Sequence, residues 1–77
     1  MSKLRLVPYR DLRKVAERIG FEWVRCAGSH NTFRGPDGRI VVIPDHGSAV
    51  IVRPLLRKIL SDLGLTPEQY SRILDDL

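Results

Sequence analysis

Gly35-Pro36-Asp37-Gly38 lies between two stretches of β-favouring residues and restricts this chain more than any other segment. Proline presets φ inside a turn, and glycine accepts a positive φ. A turn this short joins only antiparallel strands, because a parallel pair needs a crossover of about a dozen residues or more. The flanking strands are Ser29 to Arg34 and Arg39 to Ile43, the second built on Ile40-Val41-Val42-Ile43. Upstream, Phe21 to Cys26 is rich in aromatic and β-favouring types and reads as a further strand, turned into the next by Ala27-Gly28. The three strands make an antiparallel meander.

The period changes on either side of it. From Pro8 to Ile19, apolar Leu12, Val15, Ala16 and Ile19 recur at helical spacing, with Arg10, Arg13, Lys14, Glu17 and Arg18 between them. Pro8 suits the start of that helix and Gly20 its left-handed stop. Pro44 to Ser48 is a loop, and Ala49 to Arg53 is ambiguous between an extra strand and an apolar contact surface. Pro54 opens a second helix that buries Leu56, Ile59, Leu60 and Leu63 and stops at Gly64. Thr66-Pro67-Glu68-Gln69 carries the signature of a capping box. It begins a short third helix whose expected buried side is Tyr70, Ile73, Leu74 and Leu77. Helix, three strands, helix and short helix predict a two-layer α+β domain, with the helices on one sheet face and the other face free.

At 77 residues the chain is expected to be a single domain, 1–77. A chain of this size buries only about 60% of its unfolded surface. A deep internal substrate cavity is therefore not expected, and a site should lie on the outside. Cys26 is the single cysteine, so no internal disulfide forms. No apolar run approaches the roughly 18 residues of a membrane span, and the start lacks the apolar core of a signal peptide. A cytoplasmic location without membrane contact is the expectation.

Charge is unevenly placed. Residues 1–60 hold twelve Lys or Arg against five acids, a net +7, while residues 61–77 hold one against four, a net −3. Ten of the thirteen cations are arginine, whose planar fork suits phosphate. A basic body with an acidic tail fits a polyanionic partner, and fits an ordinary solubilising surface equally well.

Five chemistries are open to residues of these types. His30 and His46, with Cys26 and Asp45, match no metal-ligand spacing, so neither a metal nor a cofactor is expected. A lone strand cysteine is ordinarily a small core hydrophobe, which is the expectation for Cys26. Ser29 and His30 are neighbours and so face opposite sides of a strand, which disfavours a serine nucleophile. The 35–38 turn lacks the spacing and lysine of a phosphate loop. The fifth is RNA cleavage. RNA carries its own nucleophile, the 2′-hydroxyl, so a surface histidine with nearby cations suffices, and imidazole exchanges protons near neutral pH. His30 follows a tight glycine turn, with Arg25, Arg34 and Arg39 on the same meander. A strand histidine is more often structural or solvated, and sequence alone does not bring His46 beside it.

Gly20 to His30, ending in Gly28-Ser29-His30, resembles a helix end, strand and Gly-Ser-His turn of the HicA toxins, also called the YcfA-like family. Pro36-Asp37-Gly38-Arg39, Ile43-Pro44-Asp45-His46-Gly47, Leu56-Arg57-Lys58-Ile59-Leu60 and Leu63-Gly64-Leu65 then follow in that family's order, over about residues 6–77. Three places depart from the family pattern. Gly35 stands where a histidine is common, Ala49-Val50 where a Lys-Glu pair is usual, and Pro54-Leu55 where Gly-Thr is usual.

The resemblance implies a double-stranded-RNA-binding-domain-like α-β-β-β-α fold with a three-stranded antiparallel sheet. It implies a toxin that cleaves mRNA without a metal and is neutralised by a HicB-type antitoxin. It assigns catalysis to His30, which the Gly28 turn should place at the open edge of the sheet. Arg25, Arg34, Arg39 and Arg57 are the cations expected at phosphates, with Ser29 and His46 as further RNA contacts. Trp23 is expected to fill the core or pack on the sheet rather than stack on a base, while for Phe33 the two stand level. The rival reading is an RNA-binding module of the same fold without cleavage, for which His30 is dispensable. A protein-docking role for residues 49–52 is compatible with the toxin reading.

Overall fold

A computed structural model describes residues 4–77. The Gly35–Gly38 turn closes as its residue types require: the Gly38 N–H donates to the Gly35 carbonyl at 3.1 Å and the Gly35 N–H to the Arg39 carbonyl at 2.8 Å. It joins strands β2 (His30–Arg34) and β3 (Ile40–Pro44), while strand β1 (Glu22–Ala27) turns into β2 through Gly28, at φ 60°. The sheet is antiparallel with order β1-β2-β3. Helix α1 (Tyr9–Arg18) precedes the sheet, and helices α2 (Arg53–Leu63) and α3 (Pro67–Asp75) follow it. This is the expected α+β layout with an open three-stranded sheet.

Period 2 in the strands and 3.6 in the helices meet in one apolar cluster. Phe33, Val41 and Ile43 point inward from β2 and β3, against Leu12, Val15 and Ala16 of α1 and Leu56, Ile59, Leu60 and Leu63 of α2. Phe33 is fully buried, which resolves it to the core. Residues 50–51 make an isolated pairing with the segment before α1 rather than a strand: Pro8 bridges Val50, and the Ile51 N–H donates to the Val7 carbonyl at 2.9 Å. Ile51 is buried, and Val50 and Val52 stay exposed.

Strand β1 departs from expectation. Every one of its residues is exposed, because the helix layer packs on β3 and leaves β1 uncovered on both faces. Of the two places expected for Trp23 it takes the sheet and not the core: it is 53% exposed, with its indole N–H on Asn31 of β2. Cys26 is likewise exposed, its thiol donating to the Gly28 carbonyl at 3.1 Å, rather than a small core hydrophobe. A bulge between Trp23 and Arg25 shifts the register of β1 against β2.

The end of the chain folds back on its start. Gly64 stops α2 in the left-handed region at φ 76°, and the Leu65 N–H reaches the Leu60 carbonyl at 2.9 Å. Thr66 and Gln69 form the capping box in both directions. Tyr70 is buried and its hydroxyl donates to the Arg5 carbonyl at 2.5 Å. Arg5 pairs with Asp75 at 2.6 Å and Arg18 with Asp76 at 2.9 Å. Helix α3 ends at Asp75, so Ile73 and Leu74 are half-buried and Leu77, beyond the helix, is 48% exposed rather than buried.

Candidate functional site

His30 opens the central strand. It pairs with Ala27 on β1 and with Pro44 on β3, so it stands at the end of the sheet's middle strand, not on an edge strand. Alternation sends Asn31 and Phe33 inward and His30, Thr32 and Arg34 to the face without helices. The residue before His30 is held from two sides. The Ser29 carbonyl accepts the Asp45 N–H at 2.7 Å and the Asn31 Nδ2 at 3.3 Å. Asn31, the buried polar residue among those described, also accepts the Trp23 indole N–H at 2.9 Å. These bonds fix the backbone on both sides of His30 while its own side chain stays exposed.

Beside His30 runs a groove of about 310 Å³ between β3 and α2. Outward-facing Ile40, Val42 and Pro44 make one wall, and Leu55, Lys58 and Asp62 of α2 line the other. Ile40 and Val42 are 50% and 41% exposed, so the groove floor is apolar and open to water. Lys58 and Asp62, one helical turn apart, pair at 2.9 Å on its rim. An imidazole, an ammonium and a carboxylate thus share one shallow, mostly apolar groove.

The other expected site residues distribute around it unevenly. Arg25 pairs with Thr32, two residues along from His30 on the same face. That diagonal spacing is about 7–8 Å, within reach of a long side chain. Arg34 lies on that face at the far end of β2, beside Gly35 and Pro36. Arg39 pairs with Asp37 at 3.0 Å and lays its guanidinium against Gly64. Arg57 lines a different groove of about 600 Å³, with Leu4, Arg53, Leu60 and Leu65. His46 is exposed on the turn where the Asp45 carboxylate accepts the Gly47 N–H at 2.9 Å, and it does not line the His30 groove. The structure therefore gathers His30 and Arg25, and leaves Arg34, Arg39, Arg57 and His46 apart.

Lys58, Asp62 and the apolar wall were not among the expected site residues. The i,i+4 spacing of Lys58 and Asp62 marks an ion pair on a helix, but nothing in the spacing says which flank of α2 meets β3. Among the described residues, no three His, Cys, Asp or Glu side chains form a group able to hold a metal ion. No helix among them is long and apolar enough to cross a membrane.

The model of a family described as the HicA toxin of bacterial toxin–antitoxin systems matches residues 9–65, from the start of α1 to just past α2. No curated protein matches the chain.

Proposed function

Because this chain belongs to the HicA toxin family, and is thus the toxin partnered by an antitoxin in a bacterial toxin–antitoxin system, we propose that it is an endoribonuclease that cleaves mRNA with His30 as its proton-transfer residue. The 2′-hydroxyl oxygen of the substrate attacks the adjacent phosphorus, a P–O2′ bond forms and the P–O5′ bond breaks. The hydroxyl gives up its proton and the leaving 5′-oxygen gains one. An exposed imidazole can serve either transfer, and the route needs no metal. Arg25, diagonal to His30 on the open face, supplies positive charge to the crowded phosphate. Ser29 adjoins His30, and the remaining cations expected at RNA, Arg34, Arg39 and Arg57, with His46, belong to the outer reach of the RNA path. In this reading the whole of 1–77 works as one domain in the cytoplasm, and a HicB-type antitoxin neutralises it by covering the open face.

One observation carries the reading. His30 is exposed on the helix-free face, its backbone is pinned by the bonds to Ser29, and a groove begins at its side. The test compares wild type with His30→Ala on a long single-stranded RNA in the presence of EDTA, measuring binding in parallel. The expected result is cleavage by wild type, a loss of about 10²–10⁴-fold in the variant, and similar binding by both. Equal cleavage by both overturns the role of His30. Binding without cleavage by either leaves an RNA-binding module.

A further inference from the structure

We propose that the groove between β3 and α2 is the seat for one nucleotide of the RNA, with Lys58 as its phosphate-binding residue. This rests on the reading of the chain as an RNA-cleaving toxin and names the part of the surface that grips the substrate beside His30.

The geometry favours a nucleotide over other occupants. A nucleotide is half apolar face and half anion. The groove offers both halves in order: the Ile40, Val42 and Leu55 side chains for the face of a base, and an ammonium on the rim for a phosphate. Its volume of about 310 Å³ is at the lower end of the range for small-molecule sites, which suits one nucleotide and not a helix or a strand. His30 lines the same groove, so a nucleotide seated there has its backbone at the imidazole.

Among the cations described, Lys58 is the one that lines this groove. Arg39 is engaged by Asp37, and Arg57 faces the other flank of α2. The Lys58–Asp62 pair does not oppose the assignment. Lys58 is 71% exposed in its side chain, and exposed pairs contribute about 0–1 kcal/mol. Exchanging the Asp62 carboxylate for a phosphate therefore costs little, and until RNA arrives Asp62 holds the ammonium at the rim. Arg57 is the α2 cation among the four arginines expected at phosphates. The fold gives the position to its neighbour, about 100° further round the helix.

The probe is an RNA oligomer with every 2′-hydroxyl methylated, which binds but offers no nucleophile. Full-length wild type, Lys58→Ala, Lys58→Arg and Lys14→Ala are titrated with it over a range of salt, and isoleucine, valine and leucine methyl resonances are followed in the wild type. Lys14 lies on the exposed face of α1 and controls for loss of one positive charge. The expected result is a Lys58→Ala salt slope shallower by about 0.7, the contribution of one phosphate contact in a single strand. Lys58→Arg restores the slope, Lys14→Ala leaves it at the wild-type value, and the shifted methyls are those of Ile40, Val42 and Leu55.

An unchanged slope in Lys58→Ala overturns the proposal. So do methyl shifts confined to Leu4, Leu60 and Leu65 in the other groove. Failure of the wild type to cleave unmodified RNA, with the slope change and the groove shifts intact, overturns the nuclease reading and upholds the nucleotide seat.

Discussion

The Tyr70 hydroxyl donates to the Arg5 carbonyl from inside the core, and burial pushes its pKa up to about 12 from an ordinary 10. A phenol whose pKa rises on folding keeps its proton longer in the folded state than in the unfolded one. Its contribution to stability is whole below pH 10 and is lost as pH climbs through about 12. Alkaline denaturation should therefore remove up to about 3 kcal/mol across that interval, and Tyr70→Phe should flatten it while costing about 1 kcal/mol at neutral pH. Chemical unfolding at a series of pH values reads both effects. Gly35 is a second residue whose side chain, or lack of one, matters. A Cβ there would stand 2.7–3.0 Å from the ring of buried Phe21. Gly35→Ala should cost about 1–3 kcal/mol, seen as a lower Tm, because a buried ring cannot swing into solvent. Both contacts join residues far apart in the chain, and neither shows in local spacing.

At the scale of elements, α3 is held by Tyr70 in the core and started by a capping box with both halves made. Thr66→Ala should cost about 1 kcal/mol, whereas Asp75→Asn, at an exposed pair with Arg5, should change stability by at most about 1 kcal/mol. Thermal unfolding of the two variants separates a cap from a surface ion pair. Element types and order were legible in the residues: the Pro36-Asp37-Gly38 turn, the period of Leu12, Val15 and Ala16, and the Gly64 stop all say locally what they do. Coverage was not legible. Whether a helix layer reaches β1 depends on where α1 and α2 settle, and they settle over β3, leaving Trp23 and Cys26 outside. The same limit governs the candidate site. The Gly28-Ser29-His30 turn marks His30 from sequence. Lys58 joins it only because one flank of α2 faces β3, and Arg57, about 100° round the helix, lines a different groove for the same reason.

Across the whole molecule, the uneven charge seen along the sequence is redistributed by folding. Asp75 and Asp76 return to Arg5 and Arg18, on the helix side, and Asp62 to Lys58. Neither Arg25 nor Arg34, both on the open face, takes part in these ion pairs. On that face Glu22 stands across from Arg34 at the far end of the sheet, and Arg25, nearer His30, is the cation that a polyanion or an acidic inhibitor would meet in the proposed function. The double variant Asp75→Asn with Asp76→Asn, which raises formal net charge without altering the open face, should keep wild-type RNA cleavage. Arg25→Ala should weaken binding and lower the salt slope by about 0.7. Filter binding across salt concentrations, run beside the cleavage assay, checks both.

The tie between Tyr70 and Arg5 joins residues 65 positions apart, and it has a consequence during synthesis. The groove beside His30 is complete in sequence at Asp62, whereas Tyr70, the core residue that α3 contributes beside α1, follows it in the chain. A nascent chain can make its meander early, and it gains the tie between α3 and Arg5 afterwards.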